Sequence, residues 1–139
     1  MKRQLLKGIF ILAILGLADA LYLLSKSLMG DPLSCLILDG CNIVAASEYS
    51  RIFGIPLSAF GVAFYLATLI LAYGYWHAPK VIISQALLAV TGAGILSSGY
   101  FMYLQMYVIK AYCVYCIFSA IISALLFVLA IILIRSNQE

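Results

Sequence analysis

The sequence predicts an all-α membrane protein, a four-transmembrane-helix bundle with a long outer loop carrying a short amphipathic helix. Three observations predict it. The chain is 66% hydrophobic and only 9% charged, with a mean hydropathy of +1.16. Soluble domains carry about 25% charged residues, so this chain cannot cover a water-facing surface. Four apolar runs reach the roughly 20 residues that span a bilayer as helix. The connections between them are unequal, one long and two short.

The first span is expected at about 5–28, around an apolar run at 8–25 whose one charge is Asp19. It is expected as a span rather than a secretory signal, because it is long, leads into Lys26, and lacks a clean small-x-small cleavage site before a polar region. The outer loop follows at about 29–56, and its "NIVAASEYS" is expected as a short amphipathic helix with Ile43, Val44 and Ala46 turned inward. Asn42 caps that helix. Pro56 suits the start of a second span at about 57–76. "HAPK" at 77–80 leads to a third span at about 81–107, and the fourth is expected at about 113–135. The chain reads as a single four-helix membrane domain, 1–139.

Orientation follows from lysine and arginine. Lys2, Arg3, Lys7, Lys80 and Arg135 fall on the side of the termini. Lys26, Arg51 and Lys110 fall on the other, opposed by Asp31, Asp39 and Glu48. The expected location is the cell membrane, multi-pass, with cytoplasmic termini and the long loop on the outer (periplasmic or extracellular) face. This rule accounts for the net charge of +3 and gives no reason to invoke nucleic acid.

All four cysteines are then expected on the outer side. Cys35 and Cys41 lie in the long loop, and Cys113 and Cys116 open the last span in "KAYCVYCIF". An outer compartment permits disulfides, so two structural bridges are one reading. A bridge between cysteines three apart closes so small a loop that it stabilises weakly, which favours a redox role. At a helix N-terminus the unpaired N–H groups and the macrodipole favour the thiolate, and the thiolate is the attacking species in disulfide exchange. Lys110 adds positive charge nearby, and Asp39-Gly40 turns the loop between Cys35 and Cys41. Two short-loop pairs on one face suggest a relay. A zinc site is disfavoured, because C-x5-C with C-x2-C is not a standard pair of knuckles; no metal is expected.

Asp19, mid-span, is costly there and marks a functional position by default. It raises a rival class, a small proton-coupled transporter with structural disulfides, although such a transporter has no need of the long loop or of four outward cysteines. Within a redox reading Asp19 is a packing residue or takes a proton role. Trp76 and His77 are expected as interface anchors, and Gly92, Gly94, Ser98 and Gly99 as small residues that let helices approach.

Several stretches together resemble the vitamin K epoxide reductase family, including its prokaryotic quinone-linked disulfide-forming members. They are "GLADALYLL", the loop pair in "CLILDGCNIVAASEYSRIFGIPLSAFG" with Ser47 six residues after Cys41, and "CVYC" opening the final helix. The other quinone-linked bacterial disulfide oxidase carries its Cys-x-x-Cys in the first outer loop instead. The resemblance implies a bundle around a quinone of the ubiquinone or menaquinone type. It implies a shuttle pair, Cys35 and Cys41, and an active pair, Cys113 and Cys116, with Cys116 facing the quinone and Cys113 exchanging with Cys41. Its implied partner is a separate thioredoxin-like (DsbA-like) protein on the outer side. The implied activity is that of a membrane thiol oxidase, a quinone-dependent protein-disulfide oxidoreductase that generates disulfides. Ser47, Phe53, Phe60, Tyr103, Tyr107 and Tyr112 are candidates to line or support the quinone site, with Tyr100 and Tyr115 beside them. The vitamin K-metabolising members share an Asn near the start of span two and a Tyr four residues past the last Cys. Leu57 and Ala120 stand at those positions. Both polar quinone contacts are thus absent, which favours disulfide formation over epoxide reduction on a vitamin K-type substrate.

Overall fold

The computed structural model describes residues 2–29, 51–52, 55–110 and 114–138. Helix α1 runs Lys2–Met29, α2 Leu57–His77, α3 Val81–Tyr103 and α4 Val114–Gln138. Each contains a stretch long and apolar enough to cross a membrane. The expected loop helix, together with Asn42, Ile43, Val44 and Ala46, lies outside the described residues.

Apolar residues occupy the outward faces as well as the core, as bilayer solvation requires. Ile70, Ile82 and Leu96 are all strongly exposed on the helix surfaces, where lipid rather than water is the natural solvent. The interior holds Leu6, Ile9, Ala20, Ala72, Tyr75, Leu87, Leu126, Ala130 and Leu133. Helix α1 packs on α2 and α4, and α3 packs on α4 and α2, so the helices close a ring in chain order. Helices α2 and α4 therefore face each other diagonally.

Close helix approach depends on small residues, since lipid leaves no hydrophobic drive between helices. A Cβ at Gly16 would stand 2.2 Å from Cε1 of Tyr65, and one at Gly94 would stand 2.5 Å from Cε2 of Phe64. Both glycines are sockets for a ring of α2. Gly92 packs on Phe127, but Gly99 faces open space. The small-residue stripe expected across α3 thus works at two of its three glycines.

Three features were not visible beforehand. Arg51–Ile52 pairs antiparallel with Ile55–Pro56 just ahead of α2. The third span continues past α3 as a π-helix, Leu104–Ile109. Lys110 ends that segment in the left-handed conformation, φ 58°, and its N–H donates to the carbonyl of Gln105. At the opposite end, the Ala78 N–H donates to the Gly74 carbonyl at 2.8 Å, and α3 starts after an extended Lys80. There Arg3 lies 5.5 Å from the centre of the Trp76 ring, and Tyr73 stacks edge-on to His77 at 4.5 Å. Trp76 thus sits with a cationic residue and His77 with an aromatic ring.

Candidate functional site

The last helix begins one residue after Cys113, so Cys116 falls in its first turn. A helix repeats every 3.6 residues, which puts positions 116, 119, 123, 126, 130 and 133 along one stripe. Ser123, Leu126, Ala130 and Leu133 on that stripe are buried. Cys116 is half-buried at its head. The thiol therefore stands where the bundle interior opens towards the end of the molecule that carries the long loop.

Aromatic rings frame this end. Tyr22 of α1 meets Tyr115, the neighbour of Cys116, at 5.2 Å between ring centres. The Lys26 ammonium lies 5.8 Å from the Tyr22 ring, and Lys110 is exposed at the turn before the last helix. Lys26 and Lys110 thus bring positive charge to the ends of the helices on this side.

One to two turns deeper lies a polar group that the sequence reading missed. Tyr65 is only 1% exposed, and its hydroxyl lies 2.6 Å from Oγ of Ser119. The same hydroxyl donates to the Ser119 carbonyl at 3.3 Å. This bond crosses the diagonal of the ring, from α2 to α4. Ser123 flanks the phenol, and Asp19 of α1 is within electrostatic reach of it. Oδ2 of Asp19 is buried with no hydrogen-bond partner among the described residues. One signal was available in the sequence: Ser119 and Ser123 follow Cys116 at helical spacing. Tyr65 carried no such signal, because apolar residues surround it in the chain.

Of the residues singled out from sequence, Cys35, Cys41, Ser47, Phe53, Tyr112 and Cys113 lie outside the described residues. Leu57 opens α2, and Ala120 is half-buried beside Ser119. Phe60, Tyr103 and Tyr107 are 44%, 54% and 63% exposed. The Tyr103 and Tyr107 rings pack on each other at 5.2 Å along an outward face. Asp19 is half-buried, on the side of α1 that meets Tyr65.

Tyr22 and Tyr115 bring aromatic rings to the head of α4, and the bonded hydroxyls of Tyr65 and Ser119 set a polar pair within the apolar bundle, a chemistry that fits a quinone. The profile of the vitamin K epoxide reductase family matches residues 8–131. Among curated proteins, none matches the chain.

Proposed function

The chain belongs to the vitamin K epoxide reductase family, and from that premise we propose that it is a membrane thiol oxidase that forms disulfides at the expense of a quinone. Members of the family are membrane oxidoreductases that link thiol–disulfide chemistry to quinones. The observation that carries the reading is Cys116, half-buried in the first turn of α4 at the head of the core-facing stripe. A thiol so placed heads the buried stripe of α4 and belongs to the same short motif as Cys113.

A thiolate of an outer thioredoxin-like protein attacks Cys35 and breaks the Cys35–Cys41 bond. Cys41, released as thiolate, attacks Cys113, so a Cys41–Cys113 bond forms as the Cys113–Cys116 bond breaks and Cys116 leaves as thiolate. The second partner thiol attacks the mixed bond at Cys35, which completes the partner's disulfide and frees Cys35. Cys35 then attacks Cys41, restoring the loop disulfide and freeing Cys113. Each exchange needs a thiolate nucleophile and a good leaving thiolate. The tether between the pairs supplies high effective concentration for the hop. A bound quinone supplies a lipid-soluble two-electron sink. Through Cys116 the active pair gives up its two electrons and re-forms the Cys113–Cys116 bond. The lysine and arginine distribution supports cytoplasmic termini, with this chemistry on the outer face.

Leu57 and Ala120, where vitamin K-metabolising members carry polar quinone contacts, support disulfide formation over epoxide reduction. The test is anaerobic. Purified protein is mixed with a reduced thioredoxin-like protein and short-chain ubiquinone or menaquinone analogues, and quinone absorbance is followed. Thiol-dependent quinone reduction that is lost in Cys116→Ala is expected. No reduction with any analogue, or full activity in Cys116→Ala, overturns the reading.

A further inference from the structure

The thiol chemistry makes no use of the polar group beneath Cys116. Its members come from three helices: Asp19 from α1, Tyr65 from α2, and Ser119 with Ser123 from α4. Their depth follows from the Tyr22–Tyr115 contact. From that contact Asp19 is three residues inward on α1, and Ser119 is four residues inward on α4. Those steps amount to about 4.5–6 Å of helix rise. The group therefore sits just below the thiol, between it and the middle of the bundle.

Packing does not explain the composition of this group. A carboxyl inside a membrane span is expensive, and such residues mark ion paths and proton relays. Here Oδ2 is buried and has no hydrogen-bond partner among the described residues. The phenol of Tyr65, whose ring lies against Gly16 one turn from Asp19, is fully buried and already bonded across the bundle to Ser119. A leucine at position 19 would fill similar space without an unmet acceptor. The arrangement does suit a chain of groups that each give one proton and take another.

The proposed reaction has a place for such a chain. Two thiols and a quinone become one disulfide and one hydroquinone; the S–S bond forms, and two electrons and two protons leave the thiols. Cys116 leaves its disulfide as a thiolate and delivers electrons without a proton, so the protons that the acceptor takes up arrive by a separate path. We propose that Asp19, Tyr65 and Ser119 form a buried proton relay to the acceptor's oxygen atoms beside Cys116. Asp19 gives up a proton through the phenol and the serine hydroxyl and then regains one from the outer side, where the partner thiols have released theirs, ending each cycle as it began. Tyr65 and Ser119 each pass on their own hydrogen as they accept the next. The inference rests on the quinone reading above and names the proton route of that same site.

Two measurements test it. The first needs no quinone: infrared difference spectra are recorded between the dithiol and disulfide states of the purified protein. A carboxylic C=O band is expected to change with thiol redox state, to vanish in Asp19→Asn and to shift in Tyr65→Phe, which keeps the ring and deletes only the hydroxyl. The second is single-turnover quinone reduction by pre-reduced protein. General acid–base participation is worth roughly 10²–10⁴-fold, so Asp19→Asn is expected to slow the step at least about tenfold. Small carboxylic acids in the buffer and Asp19→Glu should each restore part of the rate. An Asp19→Asn variant at wild-type rate overturns the relay. So does a slow variant that neither added acid nor Asp19→Glu rescues, since that pattern is structural, and so does the absence of a redox-linked carboxyl band. Wild-type protein that reduces no quinone overturns the quinone reading itself, and the relay falls with it.

Discussion

Gly16→Ala adds one methyl group to α1, at the point where the phenol of α2 leaves no room for it. The new Cβ would stand 2.2 Å from Cε1, 2.3 Å from Cζ and 2.8 Å from Cδ1 of Tyr65. Tyr65 is 1% exposed and held at its tip by Ser119 at 2.6 Å, so the ring cannot swing aside without breaking that bond. Overpacking of this kind costs about 1–3 kcal/mol. Loss of an interhelical side-chain bond in a membrane protein averages about 0.6 kcal/mol more. The expected destabilisation is therefore about 1.6–3.6 kcal/mol. The assay is unfolding by dodecyl sulfate titrated into neutral-detergent micelles, followed by circular dichroism. The same substitution is then made in a Tyr65→Leu background, whose shorter side chain leaves space for the methyl group. Contacting residues are non-additive, and a coupling of at least about 1 kcal/mol is expected. If Gly16→Ala costs the same in both backgrounds, the ring is not what the glycine accommodates, and the reasoning fails.

Two further expectations use the same titration. Gly94→Ala would set a methyl group 2.5 Å from the Phe64 ring, whereas Gly99→Ala meets nothing within 4 Å. The first should destabilise by about 1–3 kcal/mol and be relieved by Phe64→Leu. The second should stabilise by about 0.4–1 kcal/mol, and a reversed order of midpoints contradicts the assigned faces of α3. Lys110 holds φ 58° and ψ 35°, a conformation that costs an ordinary residue about 1–2 kcal/mol. Lys110→Gly should therefore be neutral or stabilising by up to about 1 kcal/mol, and Lys110→Val destabilising by a similar amount. Equal midpoints for the two variants would refute the role given to that turn.

The four helices were legible because the bilayer writes them into composition. A run of roughly 20 apolar residues has few alternatives to a spanning helix. Cys116 was legible for a related reason, since a Cys-x-x-Cys at a helix threshold has a distinctive spacing. Asp19 stood out as the one acid in its span. Tyr65 did not, because its importance comes from Ser119, 54 residues away and diagonally opposite in the ring. Chain-local patterns do not encode a diagonal contact. Gly99 looked like Gly92 and Gly94 for a similar reason: a helix that is apolar all round does not announce which face meets a neighbour. Tyr103 and Tyr107 were drawn into the site on spacing, yet both lie on outward faces. Their position fits the ordinary enrichment of tyrosine near the headgroups. The π-helix at Leu104–Ile109 turns on hydrogen-bond register, which hydropathy does not report.

The bond between Tyr65 and Ser119 also bears on the order in which the protein is built. Synthesis delivers α1 and α2 before α4, and membrane helices fold by inserting first and associating afterwards. The first two helices can key together early, with the ring of Tyr65 over Gly16. At that stage the phenol still lacks its serine. When α4 arrives, a vertical slip of even one residue moves Ser119 about 1.5 Å and rotates it off the facing stripe. Only one height satisfies the waiting hydroxyl. The hairpin made first thus indexes the helix made last, and it sets the depth in the membrane at which Cys116 comes to rest.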